Sequence, residues 1–275
     1  MIKKKALALL SLLVITSFAQ AYHFGDEVCC QQENACCEDA TAPLVCGSWG
    51  IQVKGGVVPI HNTKQGPVYL FGPNLERPIT LFDIPKFNHV YKTPWLVGGE
   101  LSYACTEYIQ LFGEVNYYHA SGRNYEQSLT FEEQTGLIRS ILTPYKSIGG
   151  YIGTRFFCDR WFDILAPFVG FKVGLRNHKE IDATQTINGV RVPSTLRMYL
   201  KNTVVSGGAQ LGFDTCVWSS LKFVFTAEVV AVAGARPNRN VVLPESSLST
   251  LTGFSQGDVG TEVSFPITFG LRYDF

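Results

Sequence analysis

The stretch EVSFPITFGLRYDF, from Glu262 to Phe275, decides the fold. Every second residue is apolar: Val263, Phe265, Ile267, Phe269, Leu271, Tyr273 and Phe275. Polar or small residues lie between them, among them Ser264, Thr268, Gly270, Arg272 and Asp274. Because the side chains of a strand alternate between its two faces, the stretch predicts a two-sided ribbon. An apolar face of this length, ending on an aromatic residue, indicates a membrane strand with one lipid face and one lumen face.

The end of this ribbon, Phe269-Gly-Leu-Arg-Tyr-Asp-Phe275, resembles the C-terminal signal of bacterial outer-membrane β-barrels. The resemblance implies an integral outer-membrane protein that is recognised by the barrel-assembly machinery. The residues of that signal are Phe269, Leu271, Tyr273 and Phe275.

Residues 1–21 have the three parts of a secretory signal peptide. Lys3, Lys4 and Lys5 form the charged start, an apolar run follows from Ala6 to Phe18, and Ala19-Gln20-Ala21 is a small-x-small cleavage site. The apolar run is shorter than the roughly 20 residues that a spanning helix needs, so we expect cleavage. The chain has 23 basic and 23 acidic residues, so loss of these three lysines leaves a slightly acidic protein. This balance gives no reason to expect a nucleic acid partner.

The rest of the chain predicts eight antiparallel strands in an all-β, up-and-down transmembrane barrel. They span about 48–60, 94–104, 108–119, 144–157, 162–176, 198–214, 221–234 and 262–275. Long and short connections alternate along the chain, which is typical of outer-membrane barrels with external loops and periplasmic turns. An even number of strands returns both termini to the periplasm. Ten or twelve strands stay open as an alternative, if the Pro-rich first loop, 61–93, contains a hairpin.

The predicted barrel, Ser48 to Phe275, is similar to the small barrels typified by the opacity proteins and the OmpA-like transmembrane domains. Ahead of it, residues 22–47 form an irregular, Cys-rich periplasmic leader. We interpret the four long connections as large surface loops. Aromatic residues near the strand ends predict an interface girdle. They are Trp49, Trp95, Tyr117, Tyr118, Trp161 and Trp218.

Charged residues of both signs fall on the predicted inward face. They are Lys54, Glu100, Glu114, Arg155, Lys172, Arg176, Lys222, Glu228 and Arg272. An eight-stranded barrel is just wide enough for side chains to fill it, so we expect these groups to form ion pairs that close the lumen. The alternative is a narrow, porin-like channel lined by the same groups.

Eight cysteines in an exported protein favour disulfide bonds, because the compartment is oxidising. The leader contains Cys29, Cys30, Cys36, Cys37 and Cys46, while Cys105, Cys158 and Cys216 lie in three different short turns. All eight map to the periplasmic rim, so we predict that disulfides join the leader to the turns or to neighbouring envelope proteins. The pairing is open. The adjacent cysteines fit poorly to the spacing of zinc sites, so no metal is expected. In the cysteine density of its leader and its predicted envelope location, the chain resembles the disulfide-linked major outer-membrane proteins of chlamydia-like bacteria.

An enzyme is the third alternative. His119-Ala120-Ser121 lies where strand three ends, and Glu126 follows in the next loop, which is the minimal set for an activated nucleophile. It resembles the His-x-Ser of outer-membrane lipid A deacylases, but Gly122 stands where that motif continues with Asn. We therefore predict a protein without catalysis or cofactor that stabilises the envelope and interacts through its surface loops with an unknown ligand. It would be integral to the outer membrane of a Gram-negative cell and in contact with its lipid, and could act as a surface antigen.

Overall fold

Eight long strands form an antiparallel sheet that closes on itself. The structure is a computed structural model that describes residues 42–61, 67–71, 79–83, 87–131, 134–162, 164–187, 190–218, 220–233, 241–242, 253–256 and 262–275. The strands are, in chain order, β1 (Trp49–Val57), β2 (Ile60–His61), β3 (Pro67–Phe71), β4 (Ile79–Asp83), β5 (Trp95–Ala104), β6 (Ile109–Ala120), β7 (Asn124–Phe131), β8 (Gln134–Leu142), β9 (Tyr145–Phe157), β10 (Leu165–His178), β11 (Ile181–Ile187), β12 (Val190–Tyr199), β13 (Asn202–Trp218), β14 (Leu221–Val232), β15 (Val241–Val242), β16 (Gly253–Gln256), β17 (Glu262–Ser264) and β18 (Ile267–Asp274). A helical turn, α1 (Phe87–Val90), lies between β4 and β5.

The barrel follows the order β1, β5, β6, β9, β10, β13, β14 and β18, and β18 returns to β1. Each strand pairs with the strand before and after it in this order, so the barrel is up-and-down. This confirms the predicted all-β class and the predicted eight strands. Among the described residues, no helix is long and apolar enough to cross a membrane.

The barrel has two different ends. Short connections join β5 to β6, β9 to β10 and β13 to β14, and we call this the turn end. Long connections leave the opposite end, which we call the loop end. Two short strands, β2 and β17, pair with each other and extend the sheet at the loop end.

The four long connections, predicted as large surface loops, contain strands that pair into two further sheets. β7, β8, β11 and β12 form a four-stranded sheet from the second and third connections, and β3, β4, β15 and β16 form another from the first and fourth. The Pro-rich first connection does contain a hairpin, β3–β4, but that hairpin lies outside the ring. Four of the six pairings in these sheets are hairpins within one connection, and the other two, β11 with β8 and β16 with β3, join different connections.

Pro266 interrupts the last predicted strand between β17 and β18. Proline has no N–H to donate. The backbone N–H of Glu228 donates to the carbonyl of Pro266 at 2.9 Å, and the register continues without a shift on both sides of the break. The antiparallel pairing with β14 therefore continues past Pro266, with one backbone hydrogen bond fewer than in a regular ladder.

Residues 42–47 are the only part of the predicted leader within the described ranges, so residues 22–41 and the predicted signal peptide lie outside them. The backbone N–H of Gly47 donates to the carbonyl of Ala104 at 2.8 Å. Gly47 has a φ of 78°, a conformation that favours glycine. This turn directs Leu44 into the turn end of the barrel, where it is buried.

Candidate functional site

The outward face of the barrel is apolar. Val53 is 66 % exposed, Phe171 61 % and Leu211 59 %, and all three lie in the middle of their strands. In β18, Ile267, Phe269, Leu271 and Tyr273 are exposed, while the alternate residues are buried. Isolated exposed apolar residues are ordinary on a soluble protein, but a continuous apolar band is not.

All nine charged residues that the sequence placed in the lumen are buried. Each of them lies within ion-pair distance of a group of opposite charge. The structure adds three acids to this set, Asp214, Asp274 and Glu262, so six basic and six acidic side chains face each other in the interior. An unpaired buried charge is strongly unfavourable, and this balance avoids it.

A chain of alternating charges crosses the middle of the lumen. Its members are Arg155, Glu100, Lys54, Glu114, Lys172 and Glu228. Glu100 and Glu114 are direct cross-strand partners on β5 and β6, a placement that would be repulsive without cations. Lys54 contacts both carboxylates, at 3.4 Å in the case of Glu100. The ammonium of Lys172 then joins Glu114 at 2.6 Å to Glu228 at 2.5 Å.

Arg155 is the first member of this series of alternating charges and pairs with Glu100. Its guanidinium donates to both oxygens of Glu100, at 2.5 and 2.7 Å, a bidentate geometry that is among the strongest ionic contacts in proteins. The same guanidinium lies over the ring of Phe112 at 4.3 Å and near that of Phe168 at 5.1 Å. These rings fill the space around a charge that is fully buried.

A second cluster lies toward the turn end. Lys222 and Arg272 are cross-strand partners of like charge on β14 and β18. Asp274 contacts Lys222 at 2.9 Å and Arg272 at 2.8 Å, and Asp214 contacts Arg272 at 2.5 Å. The two cations are therefore neutralised by the two carboxylates beside them.

A third cluster lies toward the loop end. Arg176 contacts Glu262 at 3.3 Å and donates to the hydroxyl of Ser147 at 3.1 Å. Its guanidinium lies 3.8 Å from the centre of the Tyr118 ring. Tyr118 is buried and faces the lumen, so its assignment to the interface girdle was wrong. Nearby, Nδ1 of His178 is 3.1 Å from the hydroxyl of Tyr145.

Glycine makes room for the large cations. Lys54 has Gly98 and Gly270 as its two cross-strand partners, and Lys172 has Gly153 and Gly208. With no side chain on either side, the long basic side chain can extend across the lumen. The sequence showed that glycines lie within the strands. Only the register of strand pairing shows that they lie opposite Lys54 and Lys172.

Apolar clusters lie near each end of the charged interior. At the loop end the cluster consists of Val58, Val90, Tyr91, Leu96, Tyr118, Ala120, Tyr145 and Ile181. At the turn end it consists of Leu44, Ala104, Phe157, Ala166, Phe168 and Val224. Val224, an apolar residue on the inward face of β14, is buried in this cluster. Packed hydrocarbon at both ends raises the cost of a hydrated path through the barrel.

The turn end carries every described cysteine: Cys46, Cys105, Cys158 and Cys216. Cys29, Cys30, Cys36 and Cys37 lie outside the described residues. The thiol of Cys158 is free and exposed, and Sγ of Cys46 lies 3.4 Å from the carbonyl oxygen of Cys105. Disulfide bonding at this rim stays a prediction.

Two turns at this rim are linked by a side-chain hydrogen bond. The hydroxyl of Tyr108 donates to Oδ1 of Asp159 at 3.0 Å. This hydrogen bond and the charge of Asp159 raise the pKa of Tyr108 above its ordinary value. Trp161 and Trp218 are exposed close by, where the sequence predicted part of a girdle.

The three candidate catalytic residues have different surroundings. His119 faces outward, with its ring centre 5.2 Å from that of Trp95. Ser121 is exposed, and its carbonyl accepts a hydrogen bond from the backbone N–H of Lys92. The carboxylate of Glu126 is exposed and pairs with Arg139 on β8. Among the described residues, no group of three His, Cys, Asp or Glu side chains could hold a metal ion.

The chain is similar in fold to several small outer-membrane barrels. Neisserial surface protein A is 10% identical, with a TM-score of 0.40, and 83% of this chain covers 99% of that one. The attachment invasion locus protein Ail of Yersinia pestis is 10% identical, with a TM-score of 0.39 and coverages of 84% and 100%. The outer membrane protein OprG from Pseudomonas aeruginosa is 11% identical, with a TM-score of 0.43 and coverages of 84% and 96%.

No protein-family model matches the chain, and no curated protein matches it. At such low identities and TM-scores, the structural similarity carries no argument about function. The function has to be argued from the residues of this chain.

Proposed function

We propose that the protein is an integral outer-membrane β-barrel with a structural body and a recognition function at its loop end. The observation that carries this proposal is the inverted polarity of the barrel: twelve charged groups lie inside it and an apolar band lies outside. In water the apolar outer face would be unfavourable. In lipid it is the expected one, because a closed sheet leaves no backbone amide unpaired and presents hydrocarbon to hydrocarbon.

The terminal residues support placement by the assembly machinery of the outer membrane. Phe269, Leu271, Tyr273 and Phe275 are all exposed on the outward face of β18 and just beyond it. A signal peptide at residues 1–21 would deliver the chain to the periplasm, and the turn end and both termini would stay on that side. The loop end would face the outside of the cell.

The filled lumen favours a structural barrel over a pore. The charge chain from Arg155 to Glu228 crosses the lumen, and apolar clusters lie toward both ends. A conducting path would require water to separate these buried pairs. His119 and Glu126 have the separate partners Trp95 and Arg139, which supports a protein without acyl hydrolase activity.

Refolding into detergent or lipid tests the barrel and the lumen on one sample. We expect the unheated protein to migrate faster on a gel than the boiled protein, and planar bilayers containing it to show no discrete conductance steps. Stable conductance steps would overturn the closed lumen in favour of the channel. A sample that does not change its migration on boiling would overturn the membrane barrel itself.

Trypsin treatment of proteoliposomes tests the topology. Cleavage is expected after Lys92, Arg123 and Arg139, which are exposed at the loop end, and not after Lys54 or Lys172, which are buried in the barrel. Exposed segments on a rigid frame are where recognition is usually placed. Cleavage at the two barrel lysines in intact vesicles would contradict the topology.

We also propose that disulfides strengthen the turn end. The location of Cys46, Cys105, Cys158 and Cys216 at one rim supports this, since the periplasm is oxidising. Mass mapping of peptides under non-reducing conditions should find cross-linked cysteines from the leader, either within the chain or to another envelope protein. Recovery of eight free thiols would refute it.

A further inference from the structure

Three lysines lie side by side at the loop end. Lys146 is the second residue of β9, Lys179 directly follows β10, and Lys201 directly precedes β13. His178 pairs with Ser147 on one side and with Asn202 on the other, so the three lysines occupy one level on adjacent strands. The backbone N–H of Lys179 also donates to the carbonyl of Lys146 at 3.0 Å. Adjacent strands are about 4.8 Å apart, so the row is roughly 10 Å wide. We call Lys146, Lys179 and Lys201 the lysine row.

The lysine row faces away from the lumen. Tyr145 and Ser147 are buried in the interior, so Lys146 between them points outward. His178 is likewise buried, and Lys179 after it is exposed. Lys201 is exposed as well.

The apolar band begins directly below the lysine row. Ile148, on the same face of β9 as Lys146, is 49 % exposed, and Leu175 and Val205 follow on β10 and β13. Asn177 and Thr203 lie between the lysines and these residues, and a hydrogen bond of 2.7 Å joins their side chains. The outward face thus changes from aliphatic to polar to cationic within about four residues.

A row of aromatic rings marks the same level on the neighbouring strands. His119 is the cross-strand partner of Lys146, and Trp95 is the partner of His119. The ring centre of Trp95 lies 5.2 Å from that of His119 and 5.8 Å from that of Tyr117. Tryptophan and tyrosine concentrate where hydrocarbon meets the polar headgroups. This placement of the boundary is independent of the lysines.

The lysine row carries a net positive charge. Of the residues next to the three lysines in the chain, only Glu180, which follows Lys179, has a carboxylate, so three cationic side chains stand beside one acidic one. At the turn end the exposed rim carries Glu107 and Asp159, so the two rims differ in the sign of their charge.

We propose that the lysine row binds the phosphates of an anionic glycolipid headgroup in the outer leaflet, of the bisphosphorylated lipid A type. The proposal rests on the outer-membrane placement given above. Each ammonium offers three donors to phosphate oxygens. Ile148, Leu175 and Val205 lie where the acyl chains of the same lipid would run, so one molecule would meet cations at its head and aliphatic side chains below. Free phosphate has only the first of these contacts.

The test uses the refolded full-length mature chain in detergent micelles, with faster migration of unheated samples checked for every variant. The probes are bisphosphorylated lipid A, lipid A stripped of both phosphates, and inorganic pyrophosphate as a competitor. We expect wild type to bind the bisphosphorylated lipid at least about tenfold more tightly than the stripped one, since each basic residue near an anionic surface adds to affinity. The variant Lys146→Gln/Lys179→Gln/Lys201→Gln should lose most of this preference.

Two controls separate local binding from net charge. The variant Lys92→Gln/Arg123→Gln/Arg139→Gln removes three exposed cations beyond the row, and its affinity should stay within about threefold of wild type. Replacing the lysine row by arginine keeps the charge and should keep the preference. If the triple Gln variant fails to fold, Lys201→Gln alone, outside any strand, should still weaken binding severalfold.

Equal binding of both lipids by folded wild type, or an unchanged preference in the lysine-row variant, would overturn the inference and leave the barrel intact. Full displacement of the lipid by pyrophosphate at millimolar concentration would also overturn it, in favour of a site for soluble anions. Failure of wild type to migrate faster when unheated is a different result, because it contradicts the membrane barrel.

Discussion

Neighbouring residues of one strand meet opposite conditions on the two sides of the barrel wall. Phe171 is largely exposed on the outside, while the next residue, Lys172, is fully buried between Glu114 and Glu228. The outside needs only to be apolar, so many side chains would serve at Phe171. The inside needs a partner for every charge, so few would serve at Lys172. Tolerance to substitution should therefore differ more between faces than between strands.

The largest effect is expected at the centre of the interior network. Glu114→Ala removes the carboxylate shared by Lys54 and Lys172 and leaves two buried ammonium groups with one partner each. We expect the free energy of unfolding to fall by about 3–5 kcal/mol. Urea unfolding in lipid vesicles, followed by tryptophan fluorescence, measures it.

Glu126→Ala is the matched control for this prediction. It also removes a carboxylate from an ion pair, with Arg139, but the carboxylate side chain is 44% exposed. The expected loss is about 0–1 kcal/mol. Equal losses in the two variants would contradict the distinction between interior and surface.

On the outward face, introducing a charge should lower the free energy of unfolding, while exchanging one apolar side chain for another should change it little. Phe171→Lys places an ammonium in the middle of the apolar band, and the expected loss in lipid is about 2–4 kcal/mol. Phe171→Leu should stay within about 1 kcal/mol of wild type. If Phe171→Lys were neutral in vesicles, the band would not face lipid.

A smaller loss of unfolding free energy should distinguish alanine substitutions at two glycines of the barrel wall. A Cβ at Gly174 would collide with the backbone carbonyl of Gly150, while a Cβ at Gly150 would meet no atom within 4 Å. Gly174→Ala should therefore cost about 1–3 kcal/mol, since backbone cannot rotate aside. Gly150→Ala should be neutral or slightly stabilising. The same vesicle unfolding assay compares them, and the reverse order would show that the pairing register is wrong.

The smallest effect is expected outside the wall, at the turn end. Tyr108→Phe removes the hydrogen bond to Asp159 but leaves both groups in water. The change in unfolding free energy should be below about 0.5 kcal/mol. A loss above about 1 kcal/mol would mean that the turns are coupled more tightly than their exposure indicates.

Much of the barrel was predictable because its signal is local. Alternation in β18 distinguishes Phe269 and Leu271 from Arg272 without reference to any other strand. The same alternation placed all nine predicted charges on the inward face. Boundaries were less accurate: β13 runs to Trp218, beyond the predicted end at Asp214.

The sheets at the loop end were not predictable in the same way. β16 pairs with β3, and β11 pairs with β8, across long separations in sequence. None of these four segments has the long two-sided pattern that makes a barrel strand recognisable. Proline in the first connection suggested irregular structure, yet Pro67 begins β3.

Glu262, Asp214 and Asp274 were not assigned to the lumen network from the sequence. Asp214 and Asp274 did lie on inward faces, so alternation could have found them. Glu262 lies on the same face as Ser264 and could have been found in the same way, but its pairing with Arg176 on β10 could not. Only the closure of the ring brings these two together.

The sequence by itself determined the polarity of each face and the alternation of long and short connections, and it favoured eight barrel strands while ten or twelve stayed open. These properties follow from side-chain periodicity, which the backbone geometry of a strand dictates locally. The tertiary structure alone decided which cation meets which carboxylate, how Leu44 enters the turn end and how three distant lysines form one row. Those contacts depend on strand register and ring closure, which bring together residues far apart in the chain.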